Sequence, residues 1–113
     1  MSYDSKTMTV LEIESENDFS NAIQTGVTLA EFFGKWCGAC NMQAPAVELV
    51  AEEYSDIANF IKINVDEHPI LAKRFGVESL PTFLVFEDGD LIDRFIGITG
   101  VDELSEKIVL STE

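Results

Sequence analysis

Positive charge is the scarcest commodity in this chain. Lys and Arg number 7 among 113 residues, against 21 Asp and Glu, for a formal net charge of −14. A surface so poor in cations repels phosphate backbones and anionic lipid, which excludes nucleic acid and membrane surfaces as partners. The acids are spread through "ESEND", "EEYSD" and "EDGDLID" and read as a solvated surface, with a charge code for particular partners as the sharper alternative. No apolar run approaches the roughly 18 residues of a membrane span. The opening "MSYDSKTMTV" has no basic region followed by an apolar one, so no secretory leader is expected, and a reducing, cytoplasmic setting is favoured. No G-x-G-x-x-G or other nucleotide fingerprint occurs, so no bound cofactor is expected. Repeats, low-complexity segments and linkers are absent as well. With 46% hydrophobic residues, the 113 residues read as a single domain, 1–113, with a core of its own.

What is present alternates between strand and helix patterns. "TMTVLEI" (Thr7–Ile13) reads as a short strand. Ser15 can cap the following helix with Asp18 three residues on, and Phe19, Ala22 and Ile23 keep helical spacing up to Gly26. "VTLAEFF" (Val27–Phe33) is almost entirely apolar, as expected of a strand covered on both faces. Beyond it, Cys40, Ala44, Val47, Val50 and Tyr54 recur at helical intervals with Glu48, Glu52 and Glu53 off that face, and Pro45 should kink the helix. A second buried strand, Asn59–Asp66, precedes a short helix over His68–Phe75. Thr82–Phe86 and Leu91–Ile96 flank Asp88-Gly89, a hairpin signal. Thr99 is expected to cap a last helix bearing Val101, Leu104 and Ile108. The order βαβαβαββα predicts an α/β fold: a central mixed sheet of about five strands flanked by about four helices.

The only cysteines, 2 in number, sit in "KWCGACNMQAP" as Cys37 and Cys40. A structural zinc site needs about four ligands, and here only His68 or carboxylates could join the pair, so no metal site is expected. His68, followed by Pro69, reads as a loop or helix-start residue. An inert buried pair is the other bland reading. The position favours reactivity: Cys37 follows a buried strand at the start of a helix, where unpaired N–H groups and the helix dipole stabilise a thiolate. Cys40 lies one turn further on, within reach for a disulfide. One thiolate can then attack a substrate disulfide and the second can resolve the mixed disulfide.

With these residues the chain resembles the thioredoxin family over Thr7 to Leu110. "WCGAC" is similar to the family's W-C-G-P-C, "SLPTFLVF" to the segment holding its cis-proline, and Pro45 and Gly97 fall in the family's order. The resemblance implies a thioredoxin fold. It makes Cys37 the exposed nucleophile and Cys40 the buried resolving thiol, with Trp36 a flat apolar contact beside them. Gly38 would let a substrate backbone approach next to Ala39, and Pro81 would be cis against the cysteines. Leu80 and Thr82 would offer backbone groups to an extended peptide, and Gly97 and Ile98 would complete an apolar rim. Glu31, the one charge in "VTLAEFF", falls where the family usually has an Asp that serves the resolving cysteine as proton acceptor and donor, and Lys62 falls where it has a lysine near that acid. Glu is one methylene longer than Asp; the plainer alternative puts Glu31 on an exposed face with Lys62 as a surface partner. Ala39 replaces the commonest proline, and Phe33 stands where many members carry a second tryptophan.

The function implied is that of a protein-disulfide reductase, an electron carrier cycling between dithiol and disulfide. Its expected partners are disulfide-bearing target proteins and a thioredoxin reductase, and a monomer is expected. A thiol oxidase or isomerase on the same fold, and a non-catalytic binding module using the Trp36 and Pro81 surface, are the rival readings.

Overall fold

A computed structural model of the chain describes residues 9–113. The elements run β1 (Val10–Glu12), α1 (Glu16–Ile23), β2 (Val27–Phe33), α2 (Gly38–Tyr54), β3 (Ala58–Asn64), α3 (Pro69–Arg74), β4 (Thr82–Glu87), β5 (Asp90–Ile96) and α4 (Val101–Thr112). They form one sheet in the order β1-β3-β2-β4-β5. β1 and β2 pair parallel with β3, while β4 pairs antiparallel with β2 and with β5. This is the mixed sheet expected from the alternation of strands and helices.

Alternation along the central strands sorts the core into two halves. Val27 and Leu29 of β2 join Phe60, Phe83 and Val85 beneath Val47 and Val50 of α2 and Leu104 and Ile108 of α4. Ala30 and Phe32 point the other way and join Ile61, Ile63, Leu84 and Phe86 beneath Phe19 of α1 and Leu71 of α3. Burial on both faces is why "VTLAEFF" carries no polar alternation. The parity that sends Val27 and Leu29 toward α2 sends Glu31 there as well.

Local signals hold where their chemistry is self-contained. Ser15 caps α1 by accepting a hydrogen bond from the Asp18 N–H at 3.0 Å. Asp88 and Gly89 have φ of 50° and 90°. These left-handed values match the twist of the β4–β5 hairpin. Elsewhere the structure corrects the sequence reading. β1 is only Val10–Glu12, and Thr7 and Met8 lie outside the described residues. β3 starts one residue earlier than expected and ends at Asn64, where the Asn64 side chain and carbonyl accept from Asp66 and His68 N–H groups. Thr99 does not cap α4: Gly100 occupies that position, and Thr99 is engaged elsewhere. His68 heads α3 without a capping bond, its ring Nε2 lying 3.0 Å from the Ile13 carbonyl.

Candidate active site

The site lies where β2 runs into α2. The chain leaves the buried strand at Phe33, turns through Gly34–Trp36 and enters the helix with Cys37 at its cap position. Gly34 lets Leu80 pack closely there: a Cβ on it would lie 3.0 Å from Leu80 Cδ1, which would have to shift by a few tenths of an ångström. Cys37 and Cys40 are joined as a disulfide, with Cα atoms 5.2 Å apart. The Cys37 sulfur also accepts a hydrogen bond from the Cys40 N–H at 3.1 Å. A side chain that caps a helix in this way sits among the orphan N–H groups at the positive end of the dipole, which favours a thiolate at Cys37. Cys37 is half-buried, while Cys40 is 5% exposed.

Trp36 is 89% exposed, an indole that the core leaves entirely in solvent. The Leu80–Pro81 bond is cis, as the resemblance implies. Leu80 is half-buried beside Gly34, and Pro81 is buried. The Pro81 carbonyl accepts from the Gly97 N–H at 2.9 Å, which ties the proline segment to the end of β5. Gly97 has φ +96°, a conformation that side chains disfavour, and Ile98 beside it is 57% exposed. Gly38 and Ala39, exposed and half-buried, form the first turn of α2. Thr82 is fully buried and its hydroxyl donates to the Ser79 carbonyl, which ties its side chain to the segment before the proline.

Glu31 lies beneath the helix that carries the cysteines. It is 5% exposed, so the exposed-face alternative is excluded. It is paired in register with Lys62 on β3 and Phe83 on β4. Burial raises its carboxyl from 4.5 to about 7, and the positive charge of Lys62 works in the opposite direction. The Lys62 ammonium stands 5.3 Å over the Phe33 ring. A cavity of about 350 Å³ opens beside the acid, lined by Glu31, Lys62, Ala44, Val47 and Glu48 among others. Ala44 is one helical turn beyond Cys40. Polar and apolar side chains share its lining, and it is large enough to admit water beside the carboxyl.

One buried polar residue was missed from the sequence. Gln43, 0% exposed, uses both atoms of its amide on Thr99: Nε2 donates to the Thr99 carbonyl at 2.8 Å and Oε1 accepts from the Thr99 N–H at 2.7 Å. The signal was legible in principle, since Gln43 falls on the apolar stripe of α2 between Cys40 and Val47.

The comparisons with known proteins decide the family. The family model described as Thioredoxin matches residues 9–109. The chain belongs to the thioredoxin family. A thioredoxin from Staphylococcus saprophyticus is 41% identical over 101 residues, which cover 89% of this chain and 96% of that protein. A solved thioredoxin variant from Halobacterium salinarum matches with a TM-score of 0.85 at 35% identity, covering 91% of this chain and 90% of that one. Mitochondrial thioredoxin 3 from Saccharomyces cerevisiae, in its oxidised form, matches with a TM-score of 0.81 at 30% identity, covering 92% and 97%. The thioredoxin fold and a redox-active CxxC pair are therefore both present, and with them the family's protein-disulfide oxidoreductase chemistry. The family works on disulfide-bearing proteins and is recharged by a reductase. Among the described residues, no helix is long and apolar enough to cross a membrane.

Proposed function

We propose that this chain is a cytoplasmic, monomeric, single-domain thioredoxin that reduces protein disulfides with Cys37 as nucleophile and Cys40 as resolving thiol. The observation that carries the assignment of roles is the unequal placement of the pair. Cys37 stands at the helix cap beside exposed Trp36, and Cys40 is buried one turn inside.

The reaction starts from the dithiol. The Cys37 thiolate attacks one sulfur of a target disulfide, forming a mixed disulfide while the other target sulfur leaves as a thiolate and takes a proton. The Cys40 thiol then loses its proton to the Glu31 carboxylate through water. Its thiolate attacks the Cys37 sulfur, which forms the Cys37–Cys40 bond and breaks the bond to the target, whose second sulfur leaves as a thiolate and takes up the proton that Glu31 received. The target gains two electrons and two protons, and an NADPH-dependent thioredoxin reductase restores the dithiol. An acid with a pKa of about 7 suits Glu31 for this duty, because near neutral pH it can both take and return a proton. Lys62, its register neighbour, keeps the ionised form accessible.

The target peptide lies extended over Trp36, Gly38 and Ala39. It pairs with backbone groups at Leu80 and Thr82, on either side of Pro81, and rests against Gly97 and Ile98. The test is catalysis of insulin-disulfide reduction with dithiothreitol as electron donor, together with equilibration against glutathione. The expected result is faster reduction than by dithiothreitol alone and a pair more reducing than glutathione. No acceleration would overturn the proposal, and a pair more oxidising than glutathione would make the chain an oxidase.

A further inference from the structure

We propose that Gln43 is a positioning residue that holds the peptide-binding rim at a fixed distance from the reactive cysteine. This role rests on the reading of Gly97 and Ile98 as substrate contacts. A buried amide is costly unless both of its ends are paired. Gln43 meets that requirement with the main chain of a single residue, closing a ring of two hydrogen bonds to Thr99. Thr99 lies between β5 and α4, in a stretch that belongs to neither element. The Gln43 amide thus does for this turn what a neighbouring strand would do.

The restraint passes onward from Thr99. Its hydroxyl donates to the Gly97 carbonyl at 3.0 Å, and the Gly97 N–H donates to the Pro81 carbonyl at 2.9 Å. Ile98, between the two fixed residues, is therefore held with its side chain in solvent. At the other end, Gln43 is one helical turn from Cys40 on the helix that Cys37 caps. Cysteine helix, rim turn and cis-proline segment share one hydrogen-bonded frame. A protein substrate has to satisfy the rim and the Cys37 sulfur at once, so loosening the frame acts on substrate binding. This also defines the substrate class that feels it: an extended peptide bearing a disulfide, long enough to span from Cys37 to Ile98.

The experiment is a double-mutant cycle on reduction of a protein disulfide, with Gln43→Met, Ile98→Ala and the double variant. Met has similar length but leaves the Thr99 N–H and carbonyl without partners, so the turn must move. The expected result for Gln43→Met is a KM raised about tenfold with kcat within about twofold. The equilibrium constant against glutathione should also stay within about twofold, which separates positioning from a change in the redox pair. The double variant should be no worse than Ile98→Ala, because both changes act through the same contact. Equal KM for Gln43→Met and wild type, with Ile98→Ala impaired, would overturn the role of Gln43 and leave the rim reading intact. An unimpaired Ile98→Ala would overturn the rim reading and the proposal with it. Hydrogen exchange on the unmutated protein needs no variant to fold. A Thr99 amide protected from exchange supports the frame, and one exchanging like a free amide overturns it.

Discussion

Replacing Glu31 by Gln should stabilise the protein above neutral pH and leave its stability near pH 4 almost unchanged. Gln has the same shape as Glu and no charge to desolvate. In the folded protein burial raises the Glu31 carboxyl from 4.5 to about 7, even with Lys62 pulling the other way. Below pH 4.5 the folded and unfolded chains both hold the proton, and the residue has no effect on the balance. Between 4.5 and about 7 the unfolded chain releases the proton while the folded one keeps it, so folding becomes progressively less favourable. Above about 7 the folded form ionises too, and the cost levels off. The gap from 4.5 to about 7, at about 1.4 kcal/mol per pH unit, amounts to about 3 kcal/mol. Glu31→Gln removes that cost, and water in the adjoining cavity can satisfy the amide. Guanidinium unfolding of the two oxidised proteins at intervals from pH 4 to pH 8 measures it. The difference between them cancels every other titrating group and should grow to about 3 kcal/mol, roughly 10 °C in Tm. A difference that stays flat across the range would refute the reasoning, because it would mean that the carboxyl is as well solvated in the folded chain as in the unfolded one. The same substitution removes the proton acceptor and should slow release of reduced target by about a hundredfold.

Three further outcomes follow from single residues. Ala39→Pro, in the first turn of α2 where no helical hydrogen bond is lost, should make the protein more reducing by at most about 10–20 mV, read by equilibration with glutathione; a shift toward less reducing values would show that turn rigidity does not set the poise. Gly97→Ala forces a side chain into φ +96° and should lower stability by about 1–2 kcal/mol in denaturant unfolding, with a raised KM for protein substrates; unchanged stability would contradict the strain argument. Ser15→Ala removes the α1 cap and should cost about 1 kcal/mol without altering disulfide reduction.

The sequence disclosed most of this fold because its signals are local. An unbroken apolar strand such as Val27–Phe33 can only be covered on both faces, and the alternation of such strands with helical stripes determines the layers. Ser15 and Asp88-Gly89 declare their turns through side-chain and φ chemistry within four residues. Cys37 and Cys40 were legible for the same reason, since spacing and helix start are enough to make them a reactive pair. What escaped depends on contacts between distant segments. Thr99 has the composition of a helix cap, but Gln43, 56 residues away in the chain, takes its main chain, and Gly100 becomes the cap. The burial of the Thr82 side chain, too, needs β2 and β5 packed on either side of it. Glu31 was recognisable as an isolated charge in an apolar strand. The cavity beside it needs α2, β1 and β3 together and leaves no mark on any one of them.

The division of labour between the cysteines is tested most directly by trapping. Reduced Cys40→Ser protein is mixed with an oxidised protein substrate, and the adduct is mapped by peptide mass spectrometry without a reductant. The expected result is a stable one-to-one mixed disulfide at Cys37, formed at a rate close to the first step of the unmodified protein. Cys37→Ser, treated in the same way, should yield no adduct. A stable adduct at Cys40 in the Cys37→Ser protein, formed as fast, would contradict the assignment of Cys37 as the nucleophile.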